Sequence, residues 1–271
     1  PGEAPAVSPT APPPRRHLPQ GRTDRLFVAA LATLGGAYAL LIVLMLLADV
    51  LYLLTTPSPM PGGPPAWVQG VPGLEYLANL AVVRALAKPS IQYALLLSLL
   101  SCTVTAILAL WVAVPVGYLL SRYRFRGQRL LDTVLDVPIV LPPLVVGLSL
   151  LILFRFAPFR WTSAWVVYEI PGVILAQFMV SAAFAVRSMR ATFDQIDQRR
   201  EQVALTLGCN RSQAFWMVVL PEAWRGIITA GTLAWARALG EFGPLLVFAG
   251  ATSFKTEVLS TSVYLELTAG D

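Results

Sequence analysis

The chain has 271 residues, of which 56% are hydrophobic and 13% charged, with a formal net charge of +5 and a mean hydropathy of +0.66. A soluble domain has about a quarter of its residues charged, so this composition excludes an ordinary water-soluble globular protein and predicts an integral membrane protein. Two cysteines, Cys102 and Cys209, and a single histidine, His17, exclude a disulfide framework and provide no ligand cluster for a metal, and no cofactor is expected.

Residues 1–25 are rich in Pro and Arg and poor in apolar side chains. Such a segment buries too little to fold and is expected as a disordered tail, with residues 26–271 forming one transmembrane domain. The first apolar run, from Leu26, is too long for the core of a signal peptide and is read as an uncleaved span ending near Leu54. A Pro/Gly-rich loop follows, and Glu75 to Ala87 is expected as a short interfacial helix. The second span lies within Pro89 to Ser121, 33 residues without a charge, longer than the roughly 20 that cross a bilayer. Pro115 is a candidate kink within it. The third span, about Asp132 to Phe154, contains DVPIVLPPLVVG. Its prolines and glycine predict a broken or kinked helix, whose freed backbone groups need protein partners or a wet cavity. Trp161 and Trp165, in the loop that follows, are residues of the membrane interface. The fourth span is expected over about Trp165 to Val186 and the fifth over about Gly226 to Ala249, before a polar or amphipathic C-terminal stretch.

The N-terminal tail, the 122–129 loop and the 187–225 segment hold 14 of the 20 Lys and Arg residues. A five-span chain places all three on one side, and excess Lys and Arg stays cytoplasmic, so the N-terminus is expected inside the cell. The same clustering assigns the positive charge to membrane topology and not to nucleic acid.

The polar segment EQVALTLGCNRSQAFWMVVLP, residues 201 to 221, sits between two apolar runs. Val203, Leu207, Phe215 and Val218 recur at roughly helical spacing, interrupted at Gly208-Cys209-Asn210. This predicts a helix, a tight turn at the permissive Gly208, and a second helix closed by Leu220-Pro221. The residues alone leave open whether this hairpin is a connector or a docking element for another protein.

Its spacing is Gln202-Val203-Ala204, three residues, Gly208, nine residues, then Val218-Val219-Leu220-Pro221. It resembles the Glu-Ala-Ala loop of bacterial ABC-importer permeases, E-A-A-x3-G-x9-I-x-L-P. Ala204, Gly208, Leu220 and Pro221 match directly; Gln202 replaces the motif's Glu, with Glu201 one position earlier, and Val203 replaces its first Ala. The stretches LDTVLDVPIVLPPLVVGLSLL and WARALGEFGPLLVFAG are similar to those of molybdate-, tungstate- and sulfate-type permeases. With these the resemblance covers roughly residues 85–270. It implies an all-α polytopic bundle that works as the membrane-spanning permease of an ATP-driven oxyanion importer, molybdate or tungstate first, in the inner membrane. It further implies that residues 187–221 form the coupling loop, inserting into two ATP-binding subunits, and that a second permease copy completes the pathway. An external oxyanion-binding protein would deliver the substrate. Permeases of this type have a sixth span, and Asp271 lies just before the place where it would begin, so a truncated chain is expected.

Arg237 and Glu241 fall four apart in the expected fifth span, on one helix face. Intramembrane charges are costly and usually paired. The pair either shapes an anion path or neutralises itself and braces the helix; the brace is the preferred reading. No G-x-x-x-x-G-K-[ST] loop, G-x-S-x-G elbow or pair of histidines is present, so the chain is expected to be a transport subunit without catalysis of its own. Two alternatives stay open: a sulfate or thiosulfate permease, and a secondary transporter that needs no ATPase. The second requires ion-coupling acids inside the spans, where the sequence offers span-end acids such as Asp49, Asp136 and Glu169 besides Glu241.

Overall fold

A computed structural model describes residues 22–55 and 88–269 of the chain. The expected interfacial helix at 75–87, and most of the expected disordered tail, lie outside the described residues. Every element among the described residues is helical, as the composition predicts. The chain divides into two units, residues 1–84 and 85–271. In the first, α1 runs over Arg22–Thr55, and its stretch Ala29–Leu51 is long and apolar enough to cross a membrane.

The second unit is built around two long helices, α2 (Pro89–Arg122) and α6 (Ile170–Gln195). Each opens with a proline in its first turn, where the missing N–H has no helical partner to lose. Pro115 lies inside α2 without ending it. The buried face of α2 is a seam of small residues, among them Ala94, Ser101, Ala109, Ala113 and Gly117. On α10 (Trp224–Leu239) the buried positions are Ala230, Ala234 and Ala238, one per turn. Lipid tails are as apolar as leucine, so helices associate in a bilayer by close packing, and small residues permit it. At Gly117 a Cβ atom would stand 2.9 Å from the Met189 Cβ and 3.0 Å from the Arg190 nitrogen, so α2 and α6 nearly touch. Ala109, Ala113, Met189, Phe193, Ala230 and Ala234 join the three helices in one core. A second core, toward the opposite end, gathers Leu150, Phe154, Val173, Leu245, Phe248 and Val258.

The expected break in the third span is present. Helix α3 (Gln128–Val140) and α4 (Pro143–Leu153) meet at 113°. Leu141 and Pro142 are extended, the conformation imposed on a residue that precedes proline. A 3-10 turn at Phe159–Trp161 and a short α5 (Ser163–Val166) follow, and both Trp161 and Trp165 are exposed.

Two expected boundaries change. The fourth span, predicted to end near Val186, continues as α6 to Gln195. Its charged last turns are held by α3: Arg187 pairs with Asp136, and Arg190 with Asp132 at 2.5 Å. Residues 187–195 of the expected coupling loop are therefore part of a long helix. The fifth span is not one helix from Gly226 to Ala249. Helix α10 ends at Leu239, residues 240–242 are non-helical, and a wide π-type turn covers Leu245–Ala249. Pro244 lacks an N–H and so cannot bond back to Gly240, which leaves the preceding turn without one helical hydrogen bond. Among the described residues three helices are long and apolar enough to cross a membrane, or four if α3 and α4 count as one broken span. The last helix, α11 (Leu259–Ala269), runs antiparallel to the N-terminal half of α2. The Leu259 N–H donates to the Ser98 hydroxyl at 2.7 Å, and Lys88 pairs with Glu266 at 3.1 Å.

Helix α4 packs on the turn at 245–249 through Gly147, where a Cβ would lie 2.8 Å from Pro244 Cα and 2.9 Å from its carbonyl oxygen. Gly147→Ala must push two backbones apart, at roughly 1–3 kcal/mol. A lowered thermal midpoint of the detergent-purified protein is expected, whereas Gly240→Ala, whose Cβ meets nothing nearer than 3.7 Å, leaves it unchanged.

Candidate functional site: the polar hairpin

Between α6 and α10 the chain forms the predicted helical hairpin. Helix α7 (Gln198–Thr206) starts at Asp197, whose carboxylate accepts the Arg199 N–H at 3.0 Å. It closes with two crossed bonds: Cys209 N–H to the Ala204 carbonyl, and Gly208 N–H to the Leu205 carbonyl, both 3.1 Å. This closure needs a left-handed residue after the last helical one, and Gly208 takes it with φ +96°. Asn210 at once caps the next helix, α8 (Arg211–Ala214): its side chain accepts the Gln213 N–H at 2.8 Å, and the Gln213 side chain accepts the Asn210 N–H at 2.9 Å. A C-cap and a capping box thus abut over three residues, which fixes the reversal locally. The chain continues through a π-type turn at Phe215–Val219 into α9 (Leu220–Glu222) and then α10. Pro221, expected to close the second helix, is followed by one more helical residue, Glu222. A proline with no N–H to donate inside a helical run is an ordinary cause of such a widened turn.

The apolar residues whose spacing predicts the first helix are not its buried face. Val203 and Leu207 are exposed, Leu207 at 80%, together with Trp216 and Met217. What α7 buries is Ala204 and, next to it, the side chain of Glu201, while Gln202 and Gly208 lie exposed. The Tyr118 hydroxyl donates to Glu201 at 2.6 Å, and Arg122 Nε lies 3.5 Å from the other carboxylate oxygen. Arg122 also donates to the carbonyl of Ile196, at the α6–α7 junction, at 2.9 Å. The Tyr118 ring contacts Phe215 and Phe193 at centroid distances of 4.7 and 5.6 Å. Farther out, Arg211 donates to the Tyr123 hydroxyl at 3.0 Å. That bond is the main cause that raises the Arg211 pKa above its ordinary value. Arg200 and Glu222 pair across the base of the hairpin at 2.5 Å.

The second set of predicted residues also meets. Arg237 Nη1 lies 2.6 Å from Glu241 Oε1. Glu241 sits just past the end of α10, not on its face, and is 1% exposed. Arg237 also lies over the Phe184 ring, 5.4 Å from its centroid. Sequence reasoning missed the buried and half-buried polar residues of this unit. Ser260 donates to the Glu241 carbonyl at 2.7 Å, Thr261 accepts the Val258 N–H at 3.0 Å, and Thr105 donates to Gln177 at 3.2 Å. Glu257 is 5% exposed, and one of its carboxylate oxygens accepts no hydrogen bond from the described residues. It lay unread in the C-terminal stretch, which hydropathy marks as polar and gives no sign of burial. Among the described residues no three His, Cys, Asp or Glu side chains gather as a metal site.

The described residues, all in helical elements with broken spans and a capped polar hairpin between two of them, have the architecture of a polytopic membrane protein. Residues 113–269 match the family of binding-protein-dependent transport system inner membrane components, and the chain belongs to that family. It is similar to the molybdate/tungstate transport system permease protein of Pyrococcus abyssi, 39% identical over 168 residues, which are 62% of this chain and 64% of that protein. The chain thus spans just under two thirds of that relative's length. It is also similar to the sulfate transport system permease protein of Escherichia coli, 34% identical over 68% of each chain. A third relative is the molybdenum transport system permease protein of Mycobacterium tuberculosis, 35% identical over 66% of this chain and 69% of that one. A crystal structure of a bacterial ABC transporter involved in alginate import shares the fold, with a TM-score of 0.55 at 21% identity, over 93% of this chain and 83% of that one.

Removing one member of a buried ion pair strands the other. Arg237→Gln is expected to cost about 3 kcal/mol, a fall of roughly 6–12 °C in thermal midpoint. The double variant Arg237→Gln, Glu241→Gln should recover more than half of it. Equal loss in both would show that the pair does not brace the break.

Proposed function

We propose that this chain is the membrane-spanning permease of an ATP-driven importer for a tetrahedral oxyanion, molybdate or tungstate. Its own residues carry out no chemical step; ATP hydrolysis is supplied by two partner ATPase subunits. They dock on the outer face of the hairpin around Gln202 and Gly208, whose inward side carries Glu201 and Ala204 and which Leu220 and Pro221 close; a second permease copy completes the pathway, and an external binding protein delivers the ion. The hairpin's geometry carries this reading. Its fold is fixed by its own caps, yet it displays Val203, Leu207, Trp216 and Met217 to the outside. Exposed apolar side chains grouped on a polar connector mark an interaction surface. The distribution of arginines supports a cytoplasmic position for that surface and for the N-terminus, on the side where ATP is.

Transport proceeds by alternating access, and ATPase closure biases it only if the docked hairpin differs between the two states. The broken segments at 141–142 and 240–242 supply non-helical backbone inside the unit, which a membrane protein tolerates where it is covered by protein or lines a cavity. Arg237 neutralises Glu241, so the break presents little net charge and suits a weak, transient oxyanion path. Sulfate is a second reading, favoured by the Escherichia coli relative.

Proteoliposomes bearing the permease and its ATPase should take up radiolabelled molybdate only with internal ATP and external binding protein, with competition by tungstate stronger than by sulfate. Gly208→Asp should abolish ATPase co-purification without preventing membrane insertion. Uptake driven by an ion gradient without ATP would replace this reading with a secondary transporter, and preferential sulfate uptake would reassign the substrate.

A further inference from the structure

The hairpin is continuous in the chain with α6 and α10 but not with α2. Movement of the hairpin therefore reaches α2 only through side chains. The contacts between them fall in two groups. Arg211 with Tyr123 is exposed and weakened by solvent. The contacts of Glu201 are not: its side chain is 13% exposed and that of Arg122 6%. A hydrogen bond from a hydroxyl to a carboxylate in such a dry place is among the stronger kinds. The Tyr118 ring is held between Phe193 of α6 and Phe215 of the hairpin, so the hydroxyl is aimed by packing. The Nε of Arg122 is buried with no hydrogen-bond partner of its own, which makes the Glu201 carboxylate its nearest counter-charge. Gln202, one residue on, points away and is exposed.

We infer that Glu201 is a positioning residue that fastens the hairpin to the end of α2, through Tyr118 and Arg122, and so transmits hairpin movement to that helix, while Gln202 occupies the outward-facing place. The inference rests on the reading of the hairpin as the ATPase-docking element. The acid of this loop faces inward and acts on the permease itself, not on the partner.

The test uses a nitroxide on Cys209, half-buried in the hairpin turn, in a Cys102→Ser background, with the permease in lipid and no ATPase present. Tyr118→Phe keeps the ring and removes one charge-assisted hydrogen bond, so the mobile fraction of the label should rise roughly tenfold. Glu201→Gln should do the same or more, and Gln202→Ala should not. With the ATPase added, Tyr118→Phe and Glu201→Gln should still capture it and hydrolyse ATP, but fewer ions should cross per ATP. An unchanged label in both variants overturns the inference. So does loss of ATPase capture in Glu201→Gln alone, which would place Glu201 on the partner. If the parent captures no ATPase while the label still loosens in both variants, the fastening stands and the docking reading falls.

Discussion

In a bilayer, a backbone amide or carbonyl that leaves its helix finds no water to bond to, and the second unit is arranged around the places where the chain meets that demand. At the end of α10 the Glu241 carbonyl receives the Ser260 hydroxyl, and the start of α11 is received by Ser98 of α2. At the π-type turn the Gly250 N–H returns to Leu245 at 2.9 Å, and the Phe248 carbonyl accepts the Tyr168 N–H at 3.3 Å. The breaks after α10 are thus closed by a hydroxyl or a neighbouring turn, and those closures tie the start of α11 to α2 and to the end of α10, and the π-type turn to the residue before Glu169. The small-residue seams of α2 and α10 follow from the same demand, since hydroxyls on one helix reach another backbone only when the helices lie close.

The two ends of the unit use different chemistry. Toward α11 the ties are Lys88 with Glu266 and Lys255 with Glu169, whose partners are partly exposed. Such pairs contribute little stability and serve to register loops. At the hairpin end the ties are drier, and aromatic packing aims them. A turn with its own caps, held from below by Glu201 and bare above at Leu207 and Trp216, can move as one piece when a partner moves it.

How much of this was legible in the sequence depended on how local the cause is. The reversal at Gly208-Cys209-Asn210 was legible because a left-handed glycine and an Asn cap act within a few residues. The break at Leu141–Pro142 was legible because proline acts on its own neighbour. The break after Leu239 was not, because an apolar run reports burial in lipid and says nothing about helical continuity. The extension of α6 to Gln195 depends on Asp132 and Asp136, more than fifty residues earlier. The inward face of α7 was not legible for a related reason. Val203 and Leu207 have the right spacing for a core, but a nine-residue helix on a membrane connector places its apolar residues where a partner, not a core, will cover them. Glu201 pointed inward because Tyr118 and Arg122 wait there, and no spacing rule within the segment contains them.

The central claim is that the hairpin's bare upper face meets an ATPase. A photo-crosslinking amino acid placed at Leu207, 80% exposed, and separately at Ala204, 6% exposed, tests it most directly in membranes that contain the assembled transporter. The account predicts an ATP-sensitive crosslink to an ATPase subunit from position 207 and none from 204. Absence of any ATPase adduct at 207, or equal adducts at both positions, would contradict it.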